Sequence, residues 1–302
     1  MDKDNYDMAA TVFSPDGRVY QVEYAREAIK RGGLAMAIKY KKGIVFSIMK
    51  TIHSPLLEED DMEKFYKITA RIGAAASGLI ADARVLTDLM REISQEEKKR
   101  YGEDVDVKTL IKRISMIKEI YTRYEGVRPF GAAMVIGGFD ESGLHLFETD
   151  PSGVYQERTA TAIGNGAETA QDILAKKFKR DLTLDKAVTL SCEIIKETME
   201  GNGQDGFEGI ELHILSRKGV KKIDVDKDQD LMDLISGDEK KEELEAFLKG
   251  MDKIREPAIS NLLNAFSSMD DLREATMKDL MGIEGIGKVT AERIMESIKE
   301  SG

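Results

Sequence analysis

The sequence is poor in the residues on which several kinds of chemistry depend. Cys192 is its only cysteine, which excludes an internal disulfide and fits a reducing compartment, so a cytoplasmic location is expected. Residues 188–195 around it read as one face of a helix, which predicts a buried, inert thiol. The three histidines, His53, His145 and His213, stand far apart without metal-ligand spacing, so neither a metal nor any other cofactor is expected. Apolar runs such as 33–39 and 43–49 are strand-length and far too short for a bilayer, so no membrane contact is expected. Residues 1–7 are acidic and polar, unlike a secretory or transit segment. Basic residues are also in deficit, 45 against 56 acidic, for a net charge of −11. A general nucleic-acid binder normally carries the opposite balance.

What is present is a globular composition, 41% hydrophobic over 302 residues, enough for one large domain and a small one. Ser14-Pro15-Asp16-Gly17 is a turn signal, followed by a short helix over 22–31 that Gly32-Gly33 would break. Strand-like runs follow at 34–40 and 44–49, joined by Lys41-Lys42-Gly43, and a third lies at 68–76. Ser77 stands where it can cap a long helix in which Leu79, Ala83, Leu86, Leu89 and Met90 recur at helical spacing. A second helix covers 107–124, with Leu110, Ile114, Ile117 and Tyr121 on one stripe. Strands return at 131–139 and 144–149. Helices at 168–179 and 184–199 and strands at 209–216 and 220–224 complete the unit. Two sheets with helices outside them would bury every apolar face, so the expected fold is α+β, a four-layer αββα sandwich. We divide the chain into this domain over 1–236, a charged helical spacer over 237–250, and a small all-α domain over 251–302.

The N-terminal stretch Tyr6-Asp7, Thr11-Val12-Phe13-Ser14-Pro15-Asp16-Gly17-Arg18 and Gln21-Val22-Glu23-Tyr24-Ala25-Arg26-Glu27-Ala28 closely resembles the signature of archaeal-type proteasome α subunits. Met62-Glu63-Lys64, Ser77 through Arg84, Gly126 through Gly131, Asp150-Pro151-Ser152-Gly153 and Thr161 through Gly166 agree with that family in the same order. The resemblance spans roughly residues 4–232. It implies the N-terminal-nucleophile hydrolase fold and a heptameric ring of identical subunits. Partners would be proteasome β-type subunits and an ATPase-type activator. By resemblance, the gate to the particle uses Tyr6, Asp7, Pro15, Gly17 and Tyr24. A pocket for activator tails uses Lys64, with Glu23, Gly32, Gly78 and Leu79 around it. A lysine suits that pocket because a terminal carboxylate needs a cation or N–H donors. Gly164-Asn165-Gly166 lacks the third glycine and the βαβ setting of a dinucleotide loop and reads as a structural turn.

Catalytic relatives attack with a threonine freed at the start of the first strand, whose α-amino group serves as base. Here the matching stretch is Arg31-Gly32-Gly33-Leu34-Ala35, and Ile48, Met49 and Lys50 occupy the place of the supporting acid. No catalytic residue is expected, and the resemblance implies a non-catalytic subunit of a threonine-type peptidase. Two departures from the family pattern are Met8, where an arginine is usual, and Gly33-Leu34, where Ser-Thr is usual. The first bears on gate closure.

The C-terminal segment, through Asn261–Phe266 and Met281-Gly282-Ile283-Glu284-Gly285-Ile286-Gly287-Lys288 to Ile294, resembles tandem helix-hairpin-helix domains. Its first hairpin, 254–259, lacks glycines. In the second, the N–H groups of Gly285, Ile286 and Gly287, with Lys288, would hold a phosphate or a protein partner. The stretch from Gly237 carries −5, which favours protein over DNA. The alternative function is therefore an α-type paralogue acting as a scaffold or adaptor ring whose tail binds DNA or a protein.

Overall fold

The computed structural model describes residues 11–49, 64–200, 210–224, 244–245, 247–251, 256–266 and 269–300. The expectations placed on Tyr6, Asp7, Met8, His53, Met62 and Glu63, and on most of the spacer, lie outside these residues. The chain divides into two compact units, Met1–Asp228 and Gln229–Gly302.

The first unit runs α1 (Tyr20–Lys30), β1 (Ala35–Tyr40), β2 (Gly43–Met49), β3 (Phe65–Lys67), β4 (Ile72–Gly78), α2 (Ile80–Tyr101) and α3 (Val107–Ile120). It continues with β5 (Ala132–Asp140), β6 (Gly143–Thr149), β7 (Tyr155–Glu157), β8 (Ala160–Ile163), α4 (Ala167–Lys177), α5 (Leu184–Glu200), β9 (Ile210–Ser216) and β10 (Gly219–Asp224). The strands form two five-stranded sheets, ordered β10-β9-β2-β1-β8 and β3-β4-β5-β6-β7, with antiparallel pairing throughout.

Alternation along the strands decides the layering. Ala35, Ala37, Ile44, Phe46 and Ile48 of one sheet meet Ala75, Val135 and Leu146 of the other in a shared core. Met36 and Ile38 point the opposite way and are buried too, because α5 packs across β1 and β2 and α4 across β8. On the other outer face, α2 and α3 cover β4, β5 and β6 through Leu86, Met90, Leu110, Ile111 and Ile114. A strand buried on both faces loses its polar alternation, and β1 and β5 have it in neither register. The unit is the four-layer αββα sandwich. Cys192 is buried in α5.

Three expectations are corrected. Ser77 does not cap α2: it lies within β4, and its hydroxyl is 3.0 Å from the Gly33 carbonyl and 3.3 Å from that of Ile29. Leu79 occupies the cap position without a side-chain bond, and Asp82 supplies negative charge in the first turn instead. The third run, expected over 68–76, is strand only from Ile72: β3 ends before it at Lys67, and Ile68 and Thr69 turn their N–H groups to the Ile72 carbonyl, where β4 begins. The helix expected to reach Tyr124 stops at Ile120. There the Thr122 hydroxyl donates to the Glu119 carbonyl at 2.7 Å and the chain turns.

The second unit contains α6 (Glu256–Ala265), α7 (Met269–Glu274), α8 (Met277–Met281) and α9 (Lys288–Glu300). Its core joins Ile259, Leu262, Leu272, Leu280, Ile286 and Ile294 to Leu244 and Leu248. Those two leucines fall in the stretch read as a spacer. Residues 256–259, read as part of a degenerate hairpin, already belong to α6.

Candidate functional site

Of the residues expected at the gate, Pro15 and Gly17 sit on a tight turn before α1, and Tyr24 lies within α1 itself. Ser14 and Arg18 close it through Ser14 N–H to the Arg18 carbonyl at 2.9 Å and Gly17 N–H to the Ser14 carbonyl at 2.8 Å. Gly17 has φ +75° with open space around its Cα, so glycine serves backbone conformation here rather than close packing. Pro15 is exposed at the tip. Tyr24 is exposed and stacks on Tyr20 at 6.4 Å between ring centroids. Glu23 accepts from Arg18 Nε at 2.7 Å and also pairs with its Nη2, and that hydrogen bond holds its carboxyl below the usual range. Glu23 therefore belongs to this turn and lines a small cleft with Gly17 and Arg18. None of the other residues expected at the activator pocket lines that cleft.

Gly32, Gly78 and Leu79 do come together, at the end of the sandwich where β1 starts and β4 stops. A Cβ on Gly32 would lie 2.3 Å from the Gly78 nitrogen, and one on Gly78 would lie 2.2 Å from the Gly131 carbonyl oxygen. Gly78 also has φ +108°. The third segment at this junction is the Gly164–Gly166 turn, where Asn165 N–H donates to the Gly32 carbonyl at 2.8 Å. Leu79 leaves the junction with its side chain 44% exposed, and its N–H is bound to Gly131. Lys64 runs beside β4, its carbonyl accepting from Ala76 N–H at 3.1 Å. Its ammonium donates to the Met49 carbonyl at 3.2 Å. Burial pushes the Lys64 ammonium below its ordinary pKa. The cation is half-buried, with one donor engaged among the described residues, and a carboxylate arriving here would meet a partly desolvated charge.

Two further clamps hold this end together, and neither is apparent in the spacing of apolar residues. Arg128 grips Asp82 with two nitrogens, at 2.6 and 2.8 Å, while Gly131 N–H donates to the same carboxylate at 2.7 Å. Burial pushes Asp82 up, but these bonds and the Arg128 charge together hold it below the usual carboxylate range. Arg26 of α1 donates to Asp150 at 2.7 and 3.2 Å, and Asp150 is also bound by Ser152 at 2.6 Å. Both pairs join segments quoted for the family resemblance, an acid in one and an arginine in another. That coincidence was the available sequence signal.

In the helical unit, Gly285 has φ +86° and Ile286 is buried beneath the hairpin. Thr276 and Asp279 form a reciprocal capping box at α8. Gly287 and Lys288 open α9. The Lys288 ammonium lies 4.0 Å from Glu292, and Glu284 stands in the hairpin itself, so the charge facing an incoming anion is partly cancelled. Among the described residues no group of His, Cys, Asp and Glu could hold a metal ion, and no helix is long and apolar enough to cross a membrane.

A two-sheet antiparallel sandwich with helices on both outer faces, closed at one end by a helix after a Ser-Pro-Asp-Gly turn, is the architecture of a proteasome subunit. Residues 29–215 match the family model described as proteasome subunit. Residues 6–28 match the model of the N-terminal signature of α-type proteasome subunits, and the chain belongs to the proteasome α-subunit family. Its relatives include the proteasome α subunit of Methanopyrus kandleri, 43% identical over 237 residues, covering 78% of this chain and 96% of the relative. That of Thermococcus sibiricus is 46% identical over 220 residues, 72% and 83% of the two chains. That of Pyrococcus abyssi is 41% identical over 266 residues, 88% and 95%. Residues 245–300 match a SAM-like helix-hairpin-helix tandem.

Proposed function

We propose that this chain is a non-catalytic, ring-forming α-type subunit of a proteasome that gates substrate entry and docks activator tails. The observation that carries the reading is the start of β1. An N-terminal threonine nucleophile needs a free α-amino group and access for substrate. Here Gly33 and Leu34 follow an ordered helix, both are buried, and neither has a hydroxyl or thiol. Ile29 of α1 enters the inter-sheet core at this end. Catalysis then comes from β-type partners, with the ring built from copies of this chain. The turn around Pro15 and Gly17 and the exposed Tyr24 would form the base of the gate, continuing into Tyr6 and Asp7. Lys64, with Gly32, Gly78 and Leu79 on the adjoining strand end, would receive the activator's terminal carboxylate. Glu23 would act through its pair with Arg18. The separate helical unit favours a second role for the same ring, presenting Gly285, Ile286, Gly287 and Lys288 to a partner.

The test is reconstitution with an archaeal β-type subunit carrying an N-terminal threonine. Native mass spectrometry should find a mixed particle, and a threonine-directed inhibitor should label only the β partner. In that particle Lys64→Ala should weaken stimulation by an activator-tail peptide by about tenfold or more, with the particle mass unchanged. An adduct on this chain would overturn the non-catalytic assignment. Full stimulation of the Lys64→Ala particle would remove Lys64 from the pocket.

A further inference from the structure

At the end of the sandwich away from Gly32 and Gly78, the strand register sets two cationic turns side by side. β2 pairs with β9 so that Gly43 stands opposite Ser216. The β1–β2 connection, Lys41-Lys42, therefore lies beside the β9–β10 connection, Arg217-Lys218. All four side chains are exposed. None of them forms an ion pair among the described residues, in a chain whose net charge is −11. They rim a cleft of about 720 Å³ whose floor is apolar: Tyr40, Phe139, Leu144 and Leu184. Asp181 and Asp185 flank Thr183 in sequence, yet neither lines the cleft. The Arg217 guanidinium lies over the Phe139 ring, 5.3 Å from its centroid.

Like charges held close together repel, and an anion seated between them removes that cost. A cationic rim alone would attract any polyanion weakly and in any pose. The floor adds a requirement, because a side chain that buries apolar surface there fixes the ligand between the two turns. A nucleic acid suits the site poorly. It needs a basic track along its backbone, and here the cations stop at one cleft on an acidic molecule. We propose that this cleft binds a short acidic peptide segment that seats one aromatic or branched side chain on the Tyr40–Phe139–Leu144–Leu184 floor. Carboxylates on either side of that anchor pair with Lys41-Lys42 and Arg217-Lys218. The site is separate from the Lys64 pocket and does not depend on it.

The experiment is fluorescence anisotropy on the full chain with a fluorescein-labelled peptide bearing one phenylalanine flanked by three glutamates on each side. Binding should weaken with salt. It should fall about tenfold or more in the Lys42→Glu/Arg217→Glu double variant, and about tenfold when the peptide's phenylalanine becomes alanine. The substitutions lie in exposed turns, and Lys41→Gln/Lys218→Gln provides a milder pair with the same expected direction should the first fail to fold. Unchanged affinity in either pair would overturn the proposal. So would equal binding of the alanine peptide, which would leave only a non-specific cationic patch, or equal binding of a single-stranded oligonucleotide. If the unliganded variants change oligomeric state by native mass spectrometry, the face is an interface between copies and the peptide site is likewise refuted.

Discussion

Lys118 shows how much one side chain in the sandwich depends on its surroundings. Its ammonium is fully buried and donates to the Ala132 carbonyl at 3.1 Å and the Thr149 hydroxyl at 2.9 Å. Burial pushes it down to about 7, opposed by the negative charge of Asp150. An unfolded lysine titrates at about 10.4. Between those values the unfolded chain binds the extra proton, so stability rises with pH, and below 7 the whole cost of burying the charge is present. The unfolding midpoint should therefore climb between pH 7 and 9. Lys118→Met, close in volume, should flatten that climb whatever it does to the midpoint itself. A slope identical to wild type in a denaturant series would show that Lys118 does not titrate there. The burial was within reach of the sequence, since Val107, Ile111, Ile114 and Lys118 share one helical face. A lysine on an apolar stripe is ordinarily read as polar, and its acceptors come from strands more than a dozen residues away.

At the scale of elements, helix and strand order followed from periodicity, whereas boundaries failed both where local turns intervene, at Ile68–Ile72 and at Thr122, and where a contact distant in sequence decides, at Ser77. Ser77 looks like a helix cap because it precedes an amphipathic run. What claims its hydroxyl is the pair of carbonyls at the end of α1 and the start of β1. β7 and β8 escaped notice because three and four residues carry too little alternation to register. The glycines at the α1 end divide by mechanism, and this predicts a difference. Gly17→Ala meets only the left-handed backbone cost, about 1 kcal/mol. Gly78→Ala adds a Cβ 2.2 Å from the Gly131 oxygen, which must move β5 against β4. Its loss in a thermal unfolding series should be at least about 3 kcal/mol, and Leu79 and Lys64 should shift with it. Equal midpoints for the two variants would mean that the junction yields easily and does not hold Leu79 and Lys64 in place.

For the whole molecule, the sandwich and the helical unit each have a core of their own, and the sequence marked both. The family segments were legible because they recur in order. The join was not, because the charged residues around 238–245 mask Leu244 and Leu248, which complete the core of the second unit. Cutting at residue 251 would leave those leucines without their packing, whereas ending the chain at Asp228 removes the unit whole. The 1–228 chain should therefore stay folded and keep its oligomeric state, while a 1–250 chain should be the more prone to aggregate. What the truncation removes should be one binding activity. If that activity is for DNA, Gly285→Asp and Lys288→Glu should each weaken it on any sequence, because phosphate would be the target, and affinity should fall steeply with salt. The Lys288–Glu292 pair and Glu284 argue for the opposite outcome. Full-length and truncated chains should be retained equally on DNA at low salt, and proteins captured by the full chain should be lost with the tail. A salt-dependent DNA shift that needs residues 229–302 would reverse that preference and make the hairpin a phosphate site.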